Sequence, residues 1–228
     1  MPTVLITGAS RGLGLEFTRQ YLEAGWRVYA TCRDPAGADR LHALETRTLS
    51  LHQLDVASAE SLHALAAELR GVPVDILLAN AGIAEPRAVT PDTITRSDWI
   101  DVMAVNSFAP LALAGAFKTN LLAGEQRKAV AISSLMGSIG SNDWGTQYVY
   151  RASKSALNAL WRNLSVDWKA DNIICALMRP GFVKTEMTNF QGDLTPEETV
   201  AGMRRVLERL TMADSGGYHS YDGRQLPW

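Results

Sequence analysis

The chain has 228 residues, of which 46% are hydrophobic and 20% are charged, and its formal net charge at pH 7 is −2. A chain of this size and composition can bury a large core, and its charge argues against nucleic acid or an anionic membrane as a main partner. Cys32 and Cys175 lie far apart and match no metal-ligand spacing, so we expect no metal site and a reducing compartment.

Apolar runs alternate with amphipathic segments along the first half of the chain. Short apolar runs predict strands at residues 3–7, 26–32, 48–54 and 74–78. Helical patterns follow at residues 15–24 and 38–45, and again after Ser58, the expected N-cap of a third helix. Residues 84–96 contain Pro86 and Pro91 and are expected to form a loop.

The second half continues this alternation, with strands predicted at residues 128–133, 173–178 and 218–221. Helices are predicted at residues 98–122, 147–169 and 196–210, the last with Thr195 as its N-cap. Because the strands are continuous apolar runs, helices should cover both sides of the sheet. The sequence therefore predicts an α/β fold in a single domain over residues 1–228: a Rossmann-type, doubly wound parallel β-sheet with helices on both faces.

Two apolar stretches bear on targeting. Val4, Leu5 and Ile6 are too few for a signal peptide and no basic segment precedes them, so a cytoplasmic protein is expected. The most apolar stretch, residues 102–117, is interrupted by Asn106, Ser107 and Pro110. We therefore expect it to form a buried helix, with no membrane span.

The segment between the first strand and the first helix is rich in glycine, with the sequence Thr7-Gly8-Ala9-Ser10-Arg11-Gly12-Leu13-Gly14. Glycines permit positive φ and let main-chain N–H groups and a helix N-terminus approach a pyrophosphate. The segment is therefore a candidate cofactor-binding loop formed by Gly8, Ser10, Arg11, Gly12, Leu13 and Gly14. The alternative is a glycine turn that only joins a strand to a helix.

Tyr150 and Lys154 stand four residues apart in a predicted helix, so their side chains lie on one face. A tyrosine hydroxyl has a pKa of about 10, and a neighbouring ammonium can lower it by roughly 1–3 units. Such a pair can donate and accept a proton near neutral pH, although a lone pair of this kind is usually a solvated helix face. Tyr148 is a weaker candidate, because Ala152 stands where the lysine would be.

Four motifs, taken together and in order, resemble the short-chain dehydrogenase/reductase family. They are the glycine segment at residues 7–14, Asn80-Ala81-Gly82 after the fourth strand, a serine after the fifth strand, and Tyr-x-x-x-Lys at residues 150–154. The resemblance covers essentially the whole chain, and residues 221–228 resemble the ends of C-factor and sniffer-like carbonyl reductases. It implies an NADPH-dependent oxidoreductase that reduces an aldehyde or ketone to an alcohol, or catalyses the reverse reaction.

The resemblance also implies the catalytic roles. Ser134 would hydrogen-bond the substrate carbonyl, Tyr150 would donate the proton, and Lys154 would lower the pKa of the tyrosine and bind the nicotinamide ribose. Asn106 would hold a water in a proton relay, although a lone buried asparagine is usually satisfied by local hydrogen bonds. Ser134 lies sixteen residues before Tyr150, a longer separation than in many family members, so Ser138 remains an alternative.

The end of the second strand bears on cofactor choice. An NAD site places a carboxylate there, but Cys32 has none, whereas Arg33 and Arg11 can face the 2′-phosphate of NADP. Charge-assisted hydrogen bonds contribute about 1.5–3 kcal/mol each, so NADP(H) is the expected cofactor. The alternative is that Asp34 reaches the ribose, which would admit NAD(H).

Further positions follow from the resemblance alone. Asp55 and Val56 would flank the adenine, and Asn80, Ala81 and Gly82 would line the ribose side of the cofactor cleft. The nicotinamide carboxamide would be held by Pro180, Gly181, Val183 and Thr185. The substrate region would span approximately residues 183–212, where the short segment after Glu186 suggests an open site.

Alternative functions and assembly also follow from the resemblance. One alternative is a cofactor-binding sensor or signalling protein with little turnover, and the intact Ser134, Tyr150 and Lys154 argue against it. An epimerase or dehydratase of the extended family would need a longer C-terminal substrate region than this chain provides. The expected partners are a small carbonyl or alcohol substrate and a second copy of the chain, in a homodimer or homotetramer formed through the two long helices.

Overall fold

Seven parallel strands form one sheet in the order β3-β2-β1-β4-β5-β6-β7. The computed structural model describes residues 1–44, 46–85 and 89–228. The strands are β1 (Thr3–Thr7), β2 (Arg27–Cys32), β3 (Leu49–Gln53), β4 (Ile76–Ala79), β5 (Lys128–Ile132), β6 (Ile174–Arg179) and β7 (Tyr218–Ser220). The strand order reverses between β1 and β4, where sheets of this type bind ligands.

Helices cover both faces of the sheet. They are α1 (Gly12–Glu23), α2 (Asp39–His42), α3 (Ala59–Glu68), α4 (Arg96–Met103), α5 (Ala109–Ala116), α6 (Lys118–Ala123), α7 (Tyr148–Asp167) and α8 (Pro196–Arg209). Successive side chains on a strand point to opposite faces, so Leu5 joins a core with α3, α5 and α7, whereas Val4 and Ile6 join a core with α1 and α8. The predicted doubly wound parallel sheet is confirmed.

Most predicted elements exist, with shifted ends. β1 has its predicted bounds, and Ser58 and Thr195 cap α3 and α8 as expected. The first helix begins earlier than predicted, at Gly12, because the glycine segment itself forms its first turn. The predicted helix at residues 38–45 is only the single turn Asp39–His42. Glu45, the last residue of that predicted helix, and Pro86, in the predicted loop, lie outside the described residues.

The predicted continuous helix at residues 98–122 is interrupted. It is divided into α4, a π-helical segment Ala104–Phe108, α5 and α6. Pro110 has no N–H, so it cannot donate the bond that an α-helix directs to the Asn106 carbonyl. Isolated π turns of this kind often occur at functional sites.

One stretch in the described part of the chain, Arg96–Ala116, is long and apolar enough to cross a membrane by length and composition. A core helix of a globular protein meets the same criterion. Here Leu113 and Ala114 pack into the core, whereas Phe108 is 66% exposed, so the expected buried helix is buried on one face only.

Candidate active site

The glycine loop lies between the carboxyl end of β1 and the first turn of α1. Gly8 and Gly12 have φ of 67° and 53°, in the left-handed region that favours glycine. A Cβ atom on Gly14 would lie 2.2 Å from the Gly8 carbonyl oxygen and 2.7 Å from Nδ2 of Asn80. Glycine at position 14 therefore permits the start of α1 to pack closely against the end of β1 and against Asn80, the packing that a dinucleotide-binding loop requires.

Replacing Gly14 by alanine tests this fit. The new methyl group would contact a main-chain oxygen that cannot move away, so we expect a loss of about 1–3 kcal/mol in unfolding free energy together with weaker NADPH binding. Gly115 is the matched control, because it is helical and a Cβ atom there meets nothing within 4 Å. Gly115→Ala should stabilise the protein by about 0.5–1 kcal/mol and leave NADPH binding unchanged. Denaturant unfolding measures the change in stability, and fluorescence titration measures the change in NADPH binding. Equal stability and equal NADPH binding in the two variants would contradict the assignment of residues 8–14 as the cofactor-binding loop.

The turn after β4 is tied to the glycine loop. Asn80 donates from Nδ2 to the carbonyls of Thr7 (2.9 Å) and Gly8 (3.3 Å). Oγ1 of Thr7 accepts from the main-chain N–H groups of Asn80 and Ala81, both at 3.1 Å. No role was predicted for Thr7, although it begins the glycine motif. These bonds connect β1 to β4 at the reversal point of the sheet.

Ser134, Tyr150 and Lys154 meet at the carboxyl end of β5. The Ser134 side chain is close enough to the Tyr150 hydroxyl to lower the pKa of the tyrosine, and Lys154 Nζ lies 5.8 Å from the centre of the Tyr150 ring. Lys154 Nζ also donates to the Ile132 carbonyl at 2.8 Å. The alternative serine, Ser138, instead donates to Ser141 Oγ at 2.9 Å. The geometry therefore favours Ser134 over Ser138.

Tyr218 on β7 also belongs to this site, and no sequence motif indicated it. Its hydroxyl donates a hydrogen bond to the Ser134 carbonyl, so it fixes the main chain that carries the serine. Burial raises the pKa of Tyr218 to about 12, so its hydroxyl remains a donor at neutral pH. A strand of three residues near the end of the chain offered no signal by which its position beside Ser134 could be predicted.

Lys154 is buried, Ser134 and Tyr150 are partly buried, and this burial sets the proton affinities of the site. Burial raises the pKa of Tyr150, and the hydrogen bond from Ser134 only partly opposes this effect. This direction is the reverse of the predicted lowering. The reason is that burial disfavours the phenolate, while the lysine ammonium is itself disfavoured: burial lowers the pKa of Lys154 to about 8.

The Lys154 amine gives a prediction for stability against pH. Its pKa falls from 10.5 to about 8 on folding, so across that interval the unfolded chain binds more protons than the folded one. The charged amine therefore costs stability below about pH 8, and this cost disappears as the pH rises. Replacing the amine in Lys154→Met should raise the free energy of unfolding at pH 7 by about 3 kcal/mol from the removed charge. Loss of the hydrogen bond to the Ile132 carbonyl should reduce this gain by about 1 kcal/mol. Denaturant unfolding of both proteins should show this gain vanish by about pH 10, and a gain independent of pH would contradict the prediction.

Asn106 lies in the π-helical segment and is fully buried. Its Nδ2 donates to the Ile83 carbonyl (2.8 Å) and to Ser153 Oγ (3.0 Å), and its Oδ1 accepts from the Ile83 N–H (2.9 Å). The side chain is thus occupied in holding the loop after Gly82. A water in the predicted relay would need another acceptor, and the Asn106 main-chain carbonyl, which has no α-helical donor from Pro110, is the candidate.

The end of β2 presents the residues that were predicted to choose the cofactor. The side chains of Arg11 and Arg33 are exposed. Oδ1 of Asp34 accepts from the Gly37 N–H at 3.1 Å, so this carboxylate closes its own turn. Asp55 is exposed, and its Oδ1 likewise accepts locally, from the Ala57 N–H at 3.0 Å. Val56 packs against the core.

The segment after β6 folds over the glycine loop. Gly181 has φ of 89°, the Pro180 carbonyl accepts from Thr199, and Val183 is buried. The Thr185 methyl group lies 3.7 Å from where a Gly12 Cβ atom would be. This contact brings the residues predicted to hold the nicotinamide carboxamide against the predicted pyrophosphate loop.

An ion pair lies next to this contact. Glu186, the next residue, pairs with Arg40 of α2 at 3.0 Å and so connects the segment after β6 to the region after β2. The pair lies on the cofactor side of the short segment, and the open substrate site expected from the length of that segment stays a prediction. Sequence reasoning missed the pair because its members are 146 residues apart.

Comparison with known proteins places this geometry among characterised relatives. The profile of the family described as short chain dehydrogenase matches residues 2–194. The 1-hydroxy-2-glutathionyl-2-methyl-3-butene dehydrogenase of Rhodococcus sp. (strain AD45) is 34% identical over 100% of both chains. The C-signal of Myxococcus xanthus is 33% identical over 68% of this chain and 93% of its own.

Solved structures agree with the sequence relatives. The NADPH-bound carbonyl reductase from chicken fatty liver superposes with a TM-score of 0.92 at 37% identity, covering 100% of this chain and 99% of its own. The carbonyl reductase Sniffer of D. melanogaster superposes with a TM-score of 0.93 at 30% identity, with 100% coverage of both chains.

Proposed function

Because the chain belongs to the short-chain dehydrogenase family, we propose that it is an NADPH-dependent carbonyl reductase that converts an aldehyde or ketone to an alcohol, or catalyses the reverse. The observation that carries the proposal is the meeting of Ser134, Tyr150 and Lys154 beside the glycine loop. Related proteins of similar structure are reductases and dehydrogenases by name, and one of them binds NADPH.

Each residue of the site has its own role in the proposed reaction. When bound, NADPH supplies the hydride that reduces the carbonyl carbon. The Ser134 hydroxyl hydrogen-bonds the substrate oxygen and orients it, and the Tyr150 phenol, which burial keeps protonated, donates its proton to that oxygen. Lys154 stabilises the resulting phenolate and binds the nicotinamide ribose. A water on the Asn106 carbonyl returns the proton.

The loop residues suit a dinucleotide. The close packing of Gly14 against Gly8 and Asn80 holds the loop in its shape, and Asn80, Ala81 and Gly82 border it. Arg11 and Arg33 support NADP(H), because they are exposed and positively charged where the 2′-phosphate would lie. Asp34, the residue that would favour NAD(H), uses its carboxylate within its own turn. Residues 183–212 are the proposed substrate region, because the resemblance to the family places substrate contacts there.

A homo-oligomer is the proposed assembly. Phe108 and Val166 are 66% and 61% exposed on the two long helical stretches, and such apolar exposure suits a partner surface. A second copy of the chain that packs against these helical stretches would cover both side chains. Analytical ultracentrifugation tests this assembly, and a monomer at micromolar concentration would contradict it.

Steady-state assays test the proposed function. The purified protein is incubated with NADPH or NADH and a panel of aldehydes, ketones and quinones, while the absorbance of the reduced nicotinamide is followed. We expect turnover with at least one carbonyl class and faster turnover with NADPH than with NADH. Tight NADPH binding without turnover of any compound would contradict the reductase and favour the cofactor-binding sensor.

A further inference from the structure

The helix that carries Tyr150 begins without a cap of its own. The first N–H groups of a helix have no intrahelical partners and need acceptors. In α3, α4 and α8 the acceptor is the side chain of the N-cap residue. Gln147, the N-cap of α7, is left-handed with φ of 54° and makes no side-chain capping bond. The acceptor for α7 must therefore come from elsewhere in the chain.

Glu85 supplies that acceptor from a distant loop. Its Oε1 accepts from the main-chain N–H of Val149 and from that of Tyr150, the latter at 2.9 Å. Its other oxygen, Oε2, is buried and has no hydrogen-bond partner among the described residues. A buried carboxylate whose bonds all go to one helix end is tied to that end, where the helix dipole also favours negative charge.

Glu85 is also tied to the cofactor-binding turn. It follows Gly82 by three residues. Between them, Ile83 is held through both its N–H and its carbonyl by Asn106, and Asn106 in turn binds Ser153 of α7. The loop from Gly82 to Glu85 is therefore braced against the helix that carries the proton donor.

We propose that Glu85 is a positioning residue, whose carboxylate fixes the first turn of α7 and with it Tyr150. The proposal rests on the proposed function, because positioning matters to catalysis only if Tyr150 is the proton donor. Nothing in the motifs of the chain assigns a role to Glu85, which lies after the Asn80-Ala81-Gly82 turn.

Two substitutions separate geometry from charge. Glu85→Gln keeps an oxygen that can accept the two bonds, whereas Glu85→Ala removes it. Ser58 is the matched control, because its Oγ accepts from the Ser61 N–H at the start of α3 at 3.1 Å. It therefore performs a similar capping task at a helix that carries no proposed catalytic or substrate-binding group.

We expect Glu85→Ala to lower kcat of NADPH-dependent carbonyl reduction about tenfold with an unchanged Kd for NADPH, because Tyr150 is misplaced. Glu85→Gln should keep most of kcat, because its amide oxygen can still accept the two main-chain bonds. Ser58→Ala should leave kcat unchanged. Unchanged kcat in Glu85→Ala would overturn the proposal. If Glu85→Ala fails to fold, a tenfold loss of kcat in Glu85→Gln would overturn it.

Hydrogen exchange provides a readout that needs no turnover. The amides of Val149 and Tyr150 should exchange faster in Glu85→Ala than in the unchanged protein, while those of α8 should not. This result would support the positioning role even if no carbonyl were reduced, so failure of the proposed function is distinguishable from failure of this inference. Equal exchange at Val149 and Tyr150 in the two proteins would overturn it.

Discussion

Replacing Tyr150 by phenylalanine is expected to lower the rate of carbonyl reduction by about 10²–10⁴-fold, the usual contribution of a positioned general acid. Phenylalanine keeps the ring but has no proton to give. NADPH binding should persist, because the glycine loop and the turn after β4 do not depend on the hydroxyl. Steady-state kinetics and fluorescence titration measure the two quantities.

Tyr148 provides the control for this experiment. It stands two residues earlier on α7, is 49% exposed and has alanine where Tyr150 has its lysine. Tyr148→Phe should therefore retain turnover. Turnover preserved in Tyr150→Phe, or a comparable loss in Tyr148→Phe, would remove Tyr150 from its assigned role.

The second large effect concerns the cofactor. Changing Arg11 or Arg33 to alanine should weaken NADPH binding by about 1.5–3 kcal/mol each, which is roughly 10- to 100-fold, because each loses a charge-assisted bond to the 2′-phosphate. Binding of NADH, which lacks that phosphate, should be little changed. The ratio of the Kd values for NADPH and NADH, measured for each variant, reports the effect.

Arg70 is a suitable control for the cofactor experiment. It is exposed just beyond the C-terminal end of α3, on the connection that leads into the start of β4 and so at the opposite edge of the sheet. Arg70→Ala should leave the ratio of the two Kd values unchanged. An unchanged ratio in the double variant of Arg11 and Arg33 would mean that other groups select the cofactor.

The fold was predictable because its signals are local. Each strand is a short apolar run, and the alternation of strands with amphipathic helices admits few arrangements other than a doubly wound sheet. The order of the glycine loop, Asn80-Ala81-Gly82, Ser134 and the Tyr150–Lys154 pair along the chain was equally visible. Parallel strands then bring their carboxyl ends to one edge, which is why these segments meet.

The features that escaped prediction depend on contacts between distant segments. Glu85 and Glu186 are ordinary loop residues in the sequence, and only the fold shows that one caps α7 and the other pairs with Arg40. The direction of the Tyr150 pKa was predicted wrongly for a related reason. Sequence spacing shows the neighbouring lysine, but burial, which dominates the shift, is a property of the packed structure.

The central claim is that this chain transfers a hydride from NADPH to a carbonyl carbon. The most direct measurement uses NADPH deuterated at the transferable position of the nicotinamide, with a carbonyl compound that the protein turns over, and analyses the product by mass spectrometry and NMR. We expect one deuterium on the carbinol carbon of the alcohol, and none at that carbon when unlabelled NADPH is used in deuterated water. Product without deuterium from the labelled cofactor would contradict the account.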